Sequence, residues 1–169
     1  MLYRVVSILY PSFNSSLDGF SVDIFFSGCK FKCKGCHNSE LWEFIEPNIN
    51  IKKILEAIAT THKSEIVTLM GGEPLQQFGI LELIQELKKI KKYVSLYTGY
   101  DFNDISQKIK DKVDYIKTGR YKEENKLVGE FLSSSNQVMW KKTKYGTWEK
   151  QWFHEISKEE GGSLAWAIK

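Results

Sequence analysis

The sequence predicts an α/β fold, arranged either as a partial (βα) barrel or as an open, mostly parallel sheet with flanking helices. Short apolar runs rich in β-branched and aromatic residues alternate along the chain with amphipathic helical stretches. Such alternation is typical of βαβ units and of a parallel sheet. The chain has 169 residues, whereas a complete eight-unit barrel typically needs about 250. A partial barrel or a short parallel sheet is therefore the expected architecture.

The first half of the chain supplies two strands and a helix. Residues 3–10 and 20–26 are apolar and rich in β-branched or aromatic side chains, and turn-forming residues separate them. Asn50 is typical of a helix N-cap, and residues 51–59 follow it with one apolar stripe. We therefore expect a strand at residues 3–10, a strand at residues 20–26 and a helix at residues 51–59.

The second half continues the alternation. Residues 65–70 predict a buried strand, residues 80–90 a helix, and residues 93–97 the next strand. Lysines occupy the end of this helix, where their positive charges interact favourably with the negative end of the helix dipole. They indicate a solvated helix end rather than a binding patch. A shorter helix begins near Asp101 or Asn103, and residues 113–116 form a further strand.

The pattern loosens beyond Trp140. The last segment carries three of the five tryptophans without clear periodicity, namely Trp148, Trp152 and Trp166. Because most tryptophans are largely buried, we expect this tail to pack on the sheet. The expected organisation is thus a core domain of residues 1–140 and a tail of residues 141–169.

Composition limits the classes of function. A hydrophobic content of 42% permits one well-formed core, and a formal net charge of +3 gives no electrostatic reason to expect nucleic acid as a partner. The sequence has no signal peptide pattern and no apolar span long enough for a membrane helix. We expect a cytoplasmic protein with reduced thiols and no membrane or nucleic-acid partner.

All three cysteines lie in one short stretch, where Cys29, Cys33 and Cys36 have the spacing C-x3-C-x2-C. Three thiolates on one loop suit three corners of a 4Fe-4S cluster and leave one iron open. A disulfide scaffold is disfavoured by the odd and low cysteine count. A structural zinc site is an alternative that needs a fourth ligand, for which the adjacent His37 is poorly placed.

A second motif, Gly71-Gly72-Glu73-Pro74, directly follows the predicted strand of residues 65–70. Two glycines let the backbone approach a ligand closely, and Glu73 offers a carboxylate at the carboxyl edge of the sheet. The cysteine loop also leaves a strand at its carboxyl end, where parallel α/β folds build their sites. The two motifs together are much more specific than either alone.

The two motifs resemble those of the radical S-adenosylmethionine superfamily, whose fold is a partial (βα) barrel. The resemblance implies that Cys29, Cys33 and Cys36 hold a 4Fe-4S cluster and that the open iron binds the amino and carboxylate groups of S-adenosylmethionine. It also implies further contacts with this cofactor. Gly71, Gly72 and Glu73 would contact its amino group, Gly35 and His37 would lie near the adenine, and Thr98 and Gly99 would form another nucleotide contact.

Within the superfamily, the chain resembles the glycyl-radical activating enzymes. The run Cys36-His37-Asn38 followed closely by Trp42 resembles the sequence of that group. Gly35 stands directly before Cys36, where many superfamily members have an aromatic residue, and in this respect the chain resembles the activators of anaerobic ribonucleotide reductase. Trp42 is expected either to cover the cysteine loop or to be a plain core residue. Lys117-Thr118 departs from the apolar and acidic residues common there, and the tail from Lys141 matches nothing in the family.

The resemblance implies reductive cleavage of S-adenosylmethionine to a 5′-deoxyadenosyl radical, which installs a glycyl radical on the large subunit of anaerobic ribonucleoside-triphosphate reductase. No protein acid or base is required. An acidic electron donor such as flavodoxin is expected, docking on Lys30, Lys32 and Lys34 unless these are merely solvated. The alternatives are activation of pyruvate formate-lyase or another glycyl-radical enzyme, a small-molecule radical enzyme such as a deazaguanine-forming synthase, and a non-enzymatic zinc-binding module.

Overall fold

A computed structural model of the chain describes residues 1–13, 15–61, 64–128 and 132–151. Its strands are β1 (Leu2–Tyr3), β2 (Val5–Ser12), β3 (Ser21–Phe26), β4 (Ile49–Asn50), β5 (Ile66–Gly71), β6 (Tyr93–Tyr97), β7 (Tyr115–Thr118), β8 (Val138–Lys142) and β9 (Trp148–Gln151). The α-helices are α1 (Ile51–Ala59), α2 (Ile80–Lys89) and α3 (Gln107–Lys110).

Seven strands form one sheet in the order β2-β3-β5-β6-β7-β8-β9, and β1 pairs separately with β4. The central strands β3, β5, β6 and β7 are parallel to one another. At the edges β2, β8 and β9 pair antiparallel. The connection from β2 to β3 is too short for the crossover that a parallel pair requires. The prediction of an α/β fold with a mostly parallel central sheet is confirmed.

The two long helices are the predicted ones. Asn50 caps α1 by accepting a hydrogen bond from the Lys53 backbone N–H at 2.9 Å. Ile54 and Ile58 on its apolar stripe are fully buried. The buried face of α2 consists of Ile80, Leu83, Ile84 and Leu87. Both helices therefore pack on the sheet through the stripes that the sequence indicates.

The sheet has two chemically different faces, because successive side chains of a strand point to opposite sides. One face joins the helices in the hydrophobic core through Val22, Ile24, Phe26, Val67, Leu69, Val94, Leu96 and Ile116. On the other face, Asp23 of β3 is aligned with Thr68 of β5, and Thr68 with Ser95 of β6. These three polar side chains are buried although they face away from the core.

Three elements differ from the expectation. The strand expected at residues 3–10 divides into β1 and β2, and the strand expected at residues 113–116 is β7, which begins and ends two residues later. The helix expected near Asp101 is interrupted. A 3-10 turn at Phe102–Asp104 and the short helix α3 are separated by Ile105 and Ser106, whose ψ angles of 127° and 143° are extended. Ile105 and Ile109 are buried all the same, so the apolar spacing reflects packing rather than one continuous helix.

The region after Trp140 continues the sheet as far as the structure describes it. Strand β8 runs through Trp140, and β9 pairs with it as a hairpin. The Trp140 ring stacks on Phe102 with centroids 4.2 Å apart, and the Trp148 ring meets Phe102 edge-on at 5.6 Å. Residues 152–169, with Trp152 and Trp166, lie outside the described residues. Among the described helices, none has the length and apolar character needed to span a bilayer.

Candidate functional site

The carboxyl ends of β3, β5, β6 and β7 meet at one edge of the sheet, and a cavity of about 460 Å³ opens there. Its lining includes every site residue expected from the sequence except Gly35: Cys29, Cys33, Cys36, His37, Gly71, Gly72, Glu73, Thr98 and Gly99. The fold therefore brings residues from three separate strand exits to one place. This is the edge at which open parallel sheets bind their ligands.

The cysteine loop is fastened where it leaves β3. The Gly28 and Cys29 backbone N–H groups donate to the carbonyls of Leu41 and Trp42 at 2.8 and 2.9 Å. Gly28 has a φ of +93°, and a Cβ at this position would lie 2.2 Å from the Phe44 ring. Only glycine fits this turn without displacing that ring. The segment at residues 41–44 thus holds the start of the loop against the sheet.

The three cysteines are unpaired and partly buried, and all three line the cavity. Burial raises the pKa of the Cys29 and Cys33 thiols, and the other cysteines raise that of Cys33 further. Three thiols on one loop are the donor set that iron-sulfur clusters use, and a bound cluster would favour their thiolate form. In the described part of the chain, no three or more His, Cys, Asp or Glu side chains are grouped closely enough to hold a single metal ion.

The glycine pair also lines the cavity and is packed against the exit of β3. Gly71 has a φ of +104°, and its Cβ would meet the Phe26 backbone at 2.7 Å. A Cβ on Gly72 would lie 2.7 Å from the Gly28 carbonyl oxygen. The Gly72 N–H donates to Phe26 O at 2.8 Å. The close approach that the glycines permit in this structure is therefore between two protein segments.

Replacing Gly71 by alanine is expected to lower the free energy of unfolding by about 2–4 kcal/mol, because it adds a positive-φ strain of 1–3 kcal/mol and a backbone clash. Chemical denaturation under anaerobic conditions measures the change. Gly146→Ala is the matched control, since its φ is also positive at +82° but nothing lies within 4 Å of its Cβ position. Equal losses in the two variants would contradict the packing role of Gly71.

Glu73 ties the exits of β5 and β6 together. Its side chain is only 1% exposed. One carboxylate oxygen accepts from Leu75 N–H at 2.9 Å and from the Thr98 hydroxyl at 2.8 Å, and the other accepts from Gly99 N–H at 2.8 Å. Burial raises the Glu73 pKa to about 7, against the opposing effect of these hydrogen bonds. A carboxylate has roughly four acceptor positions, so three donors leave room for one more.

An aromatic and cationic stack covers Gly99 and is absent from the sequence-based site. A Cβ on Gly99 would lie 2.6 Å from the Phe31 ring. The Arg120 guanidinium carbon lies 4.2 Å from the centroid of that ring, and Tyr100 meets it edge-on at 4.8 Å. Phe31 belongs to the cysteine loop and Arg120 follows β7, so the contact joins distant parts of the sequence. No local pattern identifies such a pair.

Lys117 is the second feature that sequence reasoning did not place in the site. Its side chain lines the cavity and is 6% exposed. The ammonium lies 3.4 Å from Ser133 Oγ and 4.8 Å from the Tyr97 ring centroid. Burial lowers the Lys117 pKa to about 8. Lys117, one of the two residues that differ from those common in the family at positions 117–118, therefore places a buried cation in the cavity wall.

Gly35 and His37 occupy the outer part of the loop, and both are exposed. A Cβ on Gly35 would meet the Glu123 carboxylate at 2.9 Å, so Gly35 packs against that side chain and outside the cavity. The His37 ring lies 5.4 Å from the Tyr121 ring at the cavity edge. Trp42 is half-buried, lines the cavity and is not among the residues of the hydrophobic core.

The three loop lysines are exposed, and two of them are paired. Lys32 lies 3.1 Å from Glu43, and Lys34 lies 3.0 Å from Glu123. Pairs this exposed contribute little to stability, because solvent and salt screen the two charges. Glu43 and Glu123 nevertheless offset two of the three lysine charges, which reduces the positive potential around the cysteine loop.

Comparison with known proteins identifies the family. Residues 18–140 match the family model described as a 4Fe-4S single cluster domain. A protein of Enterobacteria phage T4 is 31% identical over 150 residues, covering 83% of this chain and 96% of the relative. A Vibrio cholerae protein is 28% identical over 130 residues, covering 69% and 84%. A Haemophilus influenzae protein is 26% identical over 117 residues, covering 63% and 76%. All three are named anaerobic ribonucleoside-triphosphate reductase-activating protein, and this chain belongs to that family.

Proposed function

We propose that this protein is an activating enzyme that installs a glycyl radical on anaerobic ribonucleoside-triphosphate reductase, using a 4Fe-4S cluster and S-adenosylmethionine. The observation that carries the proposal is the shared cavity, which is lined by all three cysteines and by residues at the exits of β5 and β6. The family membership supports both the cluster and the target. We further propose that the sheet is a partial barrel of the radical S-adenosylmethionine type, with its polar face turned to the cavity.

The donor sets on the cavity wall fit both cofactors. Cys29, Cys33 and Cys36 would each bind one iron, which leaves the fourth iron for a ligand that is not cysteine. Glu73 has acceptor capacity for one further donor, which suits the amino group of S-adenosylmethionine. Lys117 supplies a cation for the carboxylate of the same molecule.

When bound, the cluster would supply the electron for reductive cleavage of S-adenosylmethionine, and this cleavage would supply the hydrogen-abstracting chemistry that acts on the glycine of the reductase. The residues of this chain would bind and orient these two cofactors. Glu73 fixes the two strand exits relative to each other, and Phe31 and Arg120 cover Gly99 at the cavity edge. Because proton transfer is not part of this reaction, no side chain is given the role of acid or base.

The partners follow from the same proposal. The large subunit of the reductase would bring its glycine to the cavity, and a one-electron donor such as flavodoxin would approach the cysteine loop. Lys30, Lys32 and Lys34 are exposed there, although Glu43 and Glu123 offset two of the three charges. Thiolate ligation requires a reducing compartment, so we place the enzyme in the cytoplasm.

Anaerobic reconstitution with iron and sulfide tests the proposed function. We expect a coloured protein with one 4Fe-4S cluster per chain that, with dithionite and S-adenosylmethionine, yields methionine and 5′-deoxyadenosine in equal amounts. A colourless protein that binds one zinc ion and leaves S-adenosylmethionine intact would refute the enzyme proposal and favour a zinc-binding module.

Replacing Lys117 by methionine is expected to weaken binding of S-adenosylhomocysteine about tenfold or more. The variant keeps most of the unbranched side chain but removes the cation proposed to meet the ligand carboxylate, and hydrogen bonds to charged groups are typically worth about 1.5–3 kcal/mol. Titration calorimetry on the reconstituted protein measures the affinity. Lys144→Met, on the exposed turn between β8 and β9, is the control and should bind as the unmodified protein does. Unchanged affinity in Lys117→Met would remove Lys117 from the binding site.

A further inference from the structure

The indole N–H of Trp42 is buried without a hydrogen-bond partner among the described residues. Trp42 lines the cavity together with all three cysteines. Its backbone carbonyl accepts the Cys29 N–H at 2.9 Å, so the residue is fixed beside the first cysteine. A buried polar atom thus lies on a side chain of the cavity wall, next to the loop that would hold the cluster.

An unmet donor in this position needs an explanation, because leaving a buried polar group unsatisfied typically costs about 1–3 kcal/mol. The indole nitrogen can only donate, so its partner must be an acceptor. Trp140 shows the usual situation, since its indole N–H donates to the Thr118 hydroxyl at 3.1 Å. A phenylalanine at position 42 would fill the wall without an unmet donor. The tryptophan therefore suits a cavity whose occupant brings an acceptor.

We propose that the Trp42 indole N–H donates a hydrogen bond to a sulfur atom of the 4Fe-4S cluster, and that Trp42 is thereby a positioning residue that sets the cluster's reduction potential. This inference rests on the cluster in the proposed function. The sulfur atoms of a cluster are anionic acceptors, and the backbone of Trp42 is hydrogen-bonded to Cys29, one of the three proposed cluster ligands. The exits of β5 and β6, by contrast, hold Glu73, Thr98 and Gly99 in a network of their own.

A hydrogen bond to cluster sulfur changes the redox chemistry in a defined direction. Reduction adds one negative charge to the cluster, so a donor aimed at sulfur stabilises the reduced form more than the oxidised form. The potential rises, and reduction by a given donor becomes easier. Loss of the N–H should lower the potential even if the tryptophan ring is replaced by another aromatic ring.

Trp42→Phe removes the donor and keeps an aromatic ring. We expect the equilibrium constant for one-electron reduction to fall about tenfold, which is about 59 mV for a one-electron couple. A redox titration of the reconstituted protein, followed by spin resonance and without S-adenosylmethionine, measures the midpoint potential. Trp140→Phe is the matched control, because it also removes an indole N–H, from a residue that does not line the cavity, and should leave the potential unchanged.

A fully loaded Trp42→Phe protein with an unchanged potential would overturn the inference. So would a variant whose affinity for S-adenosylhomocysteine falls while the potential stays the same, because the acceptor would then belong to that ligand.

If Trp42→Phe fails to assemble the cluster, the unmodified protein with ¹⁵N-labelled tryptophan decides the matter. A nitrogen coupling to the reduced cluster in double-resonance spectra is expected, and its absence contradicts the hydrogen bond. Failure of the unmodified protein to form any cluster refutes the proposed function instead.

Discussion

Replacing Cys33 by alanine is expected to abolish cluster binding and all cleavage of S-adenosylmethionine. The protein has only three cysteines, and two thiolates do not retain a cube that normally has three or four. The expected result after reconstitution is loss of the iron and sulfide content and of the visible absorption, with no 5′-deoxyadenosine formed. Iron analysis, absorption spectra and product chromatography on the same preparation measure these quantities.

Lys34→Ala is the matched control for this experiment, because Lys34 is next to Cys33 and forms an exposed ion pair with Glu123. It should assemble the cluster normally, which separates loss of a ligand from disturbance of the loop. Circular dichroism of both variants verifies that the sheet and helices are retained. Full cluster occupancy in Cys33→Ala would show that Cys33 is not a ligand.

Glu73→Gln is expected to remove a large pH dependence from the stability of the metal-free protein. The Glu73 pKa is about 7 in the folded protein and 4.5 in an exposed carboxyl group, with burial as the main cause. Between these values the folded state keeps a proton that the unfolded state has lost. The free energy of unfolding therefore falls as pH rises from about 4.5 to 7 and is steady on either side. The difference corresponds to a loss on the order of 3 kcal/mol.

Denaturation of both proteins at a series of pH values between 4 and 8.5 provides the measurement. Groups other than Glu73 titrate equally in both, so the difference between the two curves isolates this carboxyl group. Glu40→Gln, at an exposed carboxylate in the 3-10 turn after the cysteine loop, serves as the control for removing a charge. A constant difference between unmodified protein and Glu73→Gln across the range would contradict the raised pKa.

The parts of the fold that local chemistry determines could be predicted from the sequence. The cap at Asn50 and the apolar stripe of α1 are interactions within one helix turn or two, and the structure has both. The buried runs at β5 and β6 are likewise local features. The break at Ile105 is different, because the same apolar spacing suits one helix or two short turns, and packing decides between them.

The cavity could be predicted only in part. The cysteine spacing and the glycine pair lie directly after strands, and parallel strands place their carboxyl ends at one edge, so their convergence follows from the order of elements. Lys117 and Phe31 could not be found in this way. The expected strand ends at residue 116, which leaves Lys117 in the following loop, whereas β7 extends to Thr118 and therefore fixes the direction of the Lys117 side chain. The stack of Phe31 on Gly99 depends on a loop that has no periodic pattern.

The most direct measurement of the central claim is a spin-resonance assay for a glycyl radical. The reconstituted protein is mixed anaerobically with reductant, S-adenosylmethionine and the large subunit of anaerobic ribonucleoside-triphosphate reductase. A carbon-centred radical signal on the large subunit, split by the glycine α-proton and absent when Cys33→Ala replaces the unmodified protein, is the predicted result. Cleavage of S-adenosylmethionine without any radical on that subunit would contradict the claim that the reductase is the target.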